Sequence, residues 1–302
     1  MSASPSKPPK VLLSLTTRDN DYQQAHAAAA ESVAGRFGVQ LEIVYADSDA
    51  VGQVQQILTA IQRRDHGISA VITEPVGTAM LNVAEQALRA GIAWGVLNRE
   101  ADYIPRLRLT STVPVFEISV DQLEVGRIQA KQMSRLFPAG GTVLYIMGPQ
   151  ATTAATLRAQ GTKEQKPSNV QLKSISANWT QEGGYRAVQS LLKLSTTRSS
   201  GFVGIVSQND EMAIGARRAF GEIHDTTERN AWLNLPFLGV DGLPSTGQQY
   251  VHRKLLTATV VTPAVAGIAL ETFMNWWNHK QGTPERLLVP SISYPAVETL
   301  QR

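Results

Sequence analysis

A chain of 302 residues, 43% hydrophobic and 18% charged, has enough apolar material for two ordinary domains and too balanced a composition for disorder. Its net charge of +3 sets 28 lysines and arginines, scattered rather than striped, against 25 acidic residues, so nucleic acid is not an expected partner. The lack of cysteine removes disulfides, thiolate catalysis and sulfur-ligated metals, and no run of about 18 apolar residues is present to span a membrane.

The opening MSASPSKPPK is polar and proline-rich, without the apolar core of a secretory signal, and reads as a disordered leader over residues 1–9. The expected location is therefore periplasmic if a signal peptide has been removed, and cytoplasmic otherwise. From Lys10 on, short apolar runs alternate with helical patterns about every 30 residues, the rhythm of βαβ units and parallel sheets. Val11–Leu15, Leu41–Ala46, Ala70–Thr73 and Ala93–Leu97 are near-continuous apolar runs, as expected of strands covered on both faces. Between the second and third, Val54, Ile57, Leu58 and Ile61 fall at i, i+3, i+4 and i+7 and predict one apolar helical stripe.

A second series follows: Thr142–Met147, Leu172–Ala177, Phe202–Val206, Phe237–Val240 and Thr257–Val261. The expectation is an α/β protein of two doubly wound parallel-sheet lobes, each of about five strands, joined by a three-segment hinge. Residues 10–119 with 262–290 would form the N-terminal lobe, and 120–261 with 291–302 the C-terminal one. In DEMAIGARRAF, Met212, Ala213, Ala216, Ala219 and Phe220 form a buried helical face, with Asp210 at the N-cap position. The last long helix carries Phe273, Trp276 and Trp277, read as packing.

Ligands of open parallel α/β sheets collect beyond the carboxyl ends of strands, where loops lead into helix N-termini. Five such loops here carry Asn, Asp, Arg, Trp or Tyr: TTRDNDYQQ, NRE, SQNDE, VDGLP and NWTQ. Planar amide, carboxylate and guanidinium groups bridge neighbouring hydroxyls, while flat rings pack on apolar C–H faces, a combination suited to carbohydrate. Asp or Asn alone in such a loop is more simply a helix cap.

Two stretches, SQNDEMAIGARRAF (207–220) and LGVDG (238–242), resemble the ribose- and galactose-binding protein family, the type I periplasmic binding proteins related to the ligand domains of LacI-type repressors. VLNR (96–99), VDQLEVGR (120–127), LRAQG (157–161) and NWTQEGGYRAVQSLL (178–192) match in order. The resemblance implies a non-enzymatic solute-binding protein, without catalytic residue, metal or cofactor, that closes on a small sugar or polyol. Its expected partner is an ABC permease or a membrane sensor, and the expected state is a monomer. It implies ligand contacts from Asn20 and Tyr22 in the first loop, Arg99 after the fourth strand, Arg158, Trp179, Asn209 and Asp241.

Three departures bear on the ligand. Tyr22 and Gln23 stand where the family has paired phenylalanines, and Val261 where an amide is common. Asn98 stands where ribose-type members have Asp, which would leave Arg99 without an anionic neighbour and the pocket more positive, so a weakly anionic sugar derivative is as plausible as a sugar or sugar alcohol. An enzyme is the alternative of another class, but no GxGxxG after a strand, GxxxxGK[ST], GxSxG or HExxH is present. The five histidines, His26, His66, His224, His252 and His279, lie singly with surface or packing roles, and Glu74 with Glu100 reads as a pair of solvated loop charges. A stand-alone ligand sensor is the further alternative; a DNA-binding repressor would need a helix-turn-helix segment ahead of the first strand.

Overall fold

The computed structural model describes residues 8–63, 67–194 and 198–301. The chain divides into two compact units, Met1–Ser119 with Ala264–Val289 and Val120–Pro263 with Pro290–Arg302.

The first unit alternates β1 (Lys10–Leu15), α1 (Asp21–Phe37), β2 (Gln40–Tyr45), α2 (Ala50–Gln62), β3 (Ile68–Thr73), α3 (Leu81–Arg89), β4 (Ala93–Leu97), α4 (Ile104–Arg108) and β5 (Val115–Val120). The second runs through α5 (Gln122–Leu136), β6 (Gly141–Met147), α6 (Thr153–Gln165), β7 (Val170–Ser176), α7 (Gln181–Leu192), β8 (Gly204–Ser207), α8 (Asp210–Gly221), α9 (Thr226–Leu233), β9 (Phe237–Asp241), α10 (Gly247–His252) and β10 (Ala258–Val261). The chain then returns to the first unit with α11 (Val265–His279) and β11 (Arg286–Val289), and ends in the second with β12 (Ile292–Tyr294).

Each sheet has six strands, in the orders β11-β5-β4-β3-β1-β2 and β12-β10-β9-β8-β6-β7. Strands β1 to β4 run parallel with their neighbours, as do β6 to β10, while β12 is antiparallel to β10. The sixth strands correct the expectation of about five. β11 and β12 are short and expose Leu287, Leu288 and Ile292, so they lack the continuous apolar run by which the central strands announce themselves.

Val11, Leu12, Leu13 and Leu15 are all buried, because helices cover both sides of the first sheet. One side packs Leu12, Val71, Trp94 and Val96 against Ile57, Ile61 and Val83, with Val54 and Leu58 partly buried, the predicted α2 stripe. In the second unit alternate residues of β6 serve opposite cores. Leu144 and Ile146 meet Val188, Met212, Phe220 and Trp232, while Val143 and Tyr145 meet Met133, Leu136, Phe137 and Ala159. The Trp232 ring stacks on Phe220 at 4.3 Å between centroids, and burial of such large rings dominates the energetics of a core. Phe273 is buried as expected on α11; Trp276 and Trp277 are half-buried, with the Lys280 ammonium 4.1 Å from the Trp276 ring centre.

Residues 1–7 of the expected leader lie outside the described residues. Pro9 is buried, and its carbonyl accepts a hydrogen bond from Gln40 N at 3.0 Å, so order begins before Lys10. No helix among the described residues is long and apolar enough to cross a membrane.

Candidate functional site

In each unit the parallel strands are ordered so that the sheet reverses direction of winding between its first and third strands, β1/β3 and β6/β8. At such a reversal the connecting loops diverge to opposite faces and leave a crevice at the carboxyl strand ends. Seven of the nine expected site residues lie in loops or helix starts at these ends, Asp241 is the last residue of β9, and Arg158 lies within α6.

In the first unit, Asn20 caps α1 by accepting from Gln23 N at 3.1 Å, which sets Tyr22 and Gln23 on the first helical turn. Gln23 Oε1 accepts from Thr16 N at 3.1 Å, and its Nε2 donates to Glu74 Oε2 at 3.0 Å. Asn98 follows β4 with φ of 52°, a left-handed conformation that Asn tolerates better than most side chains. Its Nδ2 lies 3.5 Å from Tyr22 Oη, 3.4 Å from His26 Nε2 and 3.4 Å from Glu74 Oε2. Arg99 Nη1 donates to Glu74 Oε1 at 3.1 Å and to the Asn98 carbonyl at 3.0 Å. The structure thus brings Gln23, Asn98 and Arg99 onto Glu74, with Tyr22 against Asn98 and Asn20 capping the turn that carries Gln23.

Two sequence expectations are corrected here, those for Arg99 and Glu74, while His26 takes a packing role. Arg99 does have an anionic neighbour: the carboxylate comes from the end of β3 instead of from position 98. Glu74 is only 3% exposed and is no solvated loop charge, whereas Glu100 is exposed and pairs with Arg286 at 2.5 Å. His26 is fully buried, its ring 4.5 Å from that of Tyr22, and burial pushes its pKa down to about 4 despite the nearby Glu74. The signal for His26 lay in its spacing, since Tyr22, Gln23 and His26 share one face of α1. His66 lies outside the described residues.

The second unit builds its set around Trp179. Asn209 caps α8 by accepting from Met212 N at 3.0 Å, and its Nδ2 donates to the Trp179 carbonyl at 2.8 Å. The cap is therefore Asn209 and not Asp210, because Asn209 has the extended backbone a cap requires. Asp210 is buried, accepting from Thr259 Oγ1 at 2.7 Å and Gly242 N at 2.8 Å, and so fixes the loop after β9. Trp179 is held at φ 71° with its ring against Gly148; a Cβ on Gly148 would lie 2.2 Å from that ring. Asp241 closes β9 at φ 111°, a region non-glycine residues seldom occupy, on the strand that runs parallel to β8, which Asn209 follows by two residues.

Arg158 is 5% exposed, and its guanidinium carbon lies 5.4 Å from the Trp179 ring centre. Its Nε donates to Gln122 Oε1 at 2.8 Å and its Nη1 to the Gln208 carbonyl. Gln208 in turn accepts from Gly148 N at 2.8 Å and donates to Tyr145 Oη at 2.9 Å. Gln122 and Gln208 are supporting residues that the sequence reading did not single out, although they lie within the stretches 120–127 and 207–220.

The helix that presents Arg158 depends on two interlocked glycines. A Cβ on Gly161 would meet the Leu123 carbonyl oxygen at 2.0 Å, and one on Gly126 the Arg158 carbonyl oxygen at 2.1 Å. Gly161→Ala should therefore force α5 and α6 apart, costing about 2 kcal/mol by overpacking and withdrawing the Arg158 guanidinium from Trp179. Urea unfolding and ligand titration of the variant check this: both should weaken, and an unchanged Kd would contradict it.

Among the described residues, no group of three or more His, Asp or Glu side chains could hold a metal ion.

A family profile described as "Periplasmic binding protein domain" matches residues 11–281. The D-apiose import binding protein of Actinobacillus succinogenes is 27% identical over 252 residues, covering 82% of this chain and 74% of that protein. A periplasmic solute binding protein of an ABC transporter from the same species, crystallised with D-allose, shares the fold with a TM-score of 0.80 at 22% identity, over 96% of this chain and 98% of the other. The Caulobacter myo-inositol binding protein does so with a TM-score of 0.78 at 18% identity, over 97% and 95%. This chain belongs to the periplasmic binding protein family, and it is a solute-binding protein rather than an enzyme.

Proposed function

We propose that the protein captures one small sugar or polyol at the carboxyl strand ends of its units and delivers it to an ABC-type permease from the periplasm. The observation that carries this reading is the doubling of one arrangement. Each unit presents, at its own sheet reversal, a buried arginine or amide fork with an aromatic ring beside it: Arg99, Asn98, Gln23 and Tyr22 in one, Arg158, Asn209, Asp241 and Trp179 in the other. Asn20 supports the first set as a cap.

Such sets suit a ring with hydroxyls on its rim and C–H groups on its faces. A solute that binds one conformation of the protein better than another shifts the population toward it, and that loaded form is what a partner distinguishes from the empty one. The names of the relatives, which import D-apiose or hold D-allose or myo-inositol, point to the same ligand class.

A panel of pentoses, hexoses, inositols and pentitols, screened by thermal shift and confirmed by calorimetry, tests the reading. A true ligand at a hundredfold excess over Kd should stabilise the protein by about 2.7 kcal/mol. Flat melting curves over the whole panel would overturn it. Retention of an ABC permease on the ligand-loaded protein supports import, and retention of a sensor kinase instead would move the role to signalling.

A further inference from the structure

We infer that Glu74 sets the charge preference of the site: by neutralising Arg99 it makes the first unit's strand ends a net-neutral ligand face that takes an uncharged or amino-bearing polyol and rejects a sugar acid. This rests on the reading above, that a sugar-like solute docks at these strand ends.

Glu74 is 3% exposed, and its two oxygens accept from Arg99 Nη1 at 3.1 Å, Gln23 Nε2 at 3.0 Å and Asn98 Nδ2 at 3.4 Å. Three donors converge on the Glu74 carboxylate, and at 3% exposure water does little to screen it. His26, its Nδ1 4.0 Å from Glu74 Oε2, adds no positive charge at neutral pH, since burial holds its pKa at about 4. One nearly buried cation, Arg99, and one buried anion, Glu74, remain, and they face each other.

Arg99 is nonetheless not used up. Glu74 and the Asn98 carbonyl take Nη1, while the buried Nε has no hydrogen-bond partner among the described residues. The guanidinium therefore keeps a donor for a ligand hydroxyl while its charge is already compensated. A carboxylate brought to that donor would lie close to the Glu74 carboxylate, and like charges at low dielectric repel strongly. Glu74 acts through Arg99 as a positioning residue.

The test uses whichever neutral sugar of the panel binds, with its uronic or aldonic acid and its amino-sugar analogue, titrated calorimetrically at pH 7.5. The wild-type chain should bind the acid at least tenfold more weakly than the neutral sugar, and Glu74→Gln should shift that ratio toward the acid by about tenfold, the worth of one modest charge interaction. Acid binding equal to neutral binding in the wild type overturns the inference without any variant. A ratio unmoved in a folded Glu74→Gln protein, even if both affinities fall together, also overturns it and leaves Glu74 purely structural. Failure of the wild type to bind any sugar, acid or amine overturns the capture reading and this inference with it.

Discussion

Arg99→Ala is expected to abolish ligand binding and to destabilise the first unit by about 3 kcal/mol, because it removes one partner of a buried ion pair and strands the other. Arg99 is 12% exposed and Glu74 4% in their side chains, so solvent does little to solvate a carboxylate left alone. The Gln23 and Asn98 amides would still donate to it, but two neutral donors do not offset an uncompensated charge in low dielectric. Replacing both partners, Glu74→Met with Arg99→Met, should recover most of the stability, since well-packed apolar residues often replace a buried pair without loss. It should recover none of the binding. Urea unfolding of the wild type, Arg99→Met, Glu74→Met and the double variant gives the coupling as a double-mutant cycle, and calorimetry reads the binding. Additive stability losses would show that the 3.1 Å contact carries no energy, and retained affinity in the alanine variant would remove Arg99 from the site.

That ion pair also shows where the sequence ran out. The strands covered on both faces were legible because burial on two sides demands continuous apolar runs such as Val11–Leu15, and the α2 stripe because helical period is written in Val54, Ile57, Leu58 and Ile61. Glu74 and Arg99 lie 25 positions apart and meet only because β3 and β4 are in-register neighbours, with Thr73 opposite Val96. A charge in a strand-end loop reads as solvated until the adjacent strand end is known.

Asn209 and Asp210 illustrate a finer limit. Both carry a side-chain oxygen at a helix start, and composition does not say which one caps. The cap needs the extended backbone, found at Asn209, which frees Asp210 to reach Thr259 on β10 and Gly242 after β9. Those partners are remote in sequence. Local chemistry fixes that a cap is present, and tertiary contact decides the residue.

Stability should fall as the pH is lowered from 6.5 to 4, with His26 contributing about 3 kcal/mol of that loss. The sign follows from which state takes up the proton. In the unfolded chain the imidazole protonates as pH falls through about 6.5, whereas in the native protein burial holds the pKa near 4. Between those values the unfolded state binds the extra proton and is favoured; above them His26 is neutral in both states and its contribution is complete. The groups facing the ring are Tyr22 and Asn98, which add no charge, Glu74, which raises the pKa, and Arg99, which lowers it, and burial outweighs them all.

Other groups titrate over the same range, so the measurement is a difference. Urea unfolding of wild type and His26→Gln should be compared in steps from pH 7.5 to 4. At pH 7.5 the variant should be the less stable, having lost the contact of Nε2 with Asn98 and part of the Tyr22 packing. As the pH falls the wild type should lose its lead and the two should converge or cross near pH 4.5. A stability difference independent of pH would mean that His26 does not titrate between these limits, and that the pocket around it admits enough water to solvate an imidazolium.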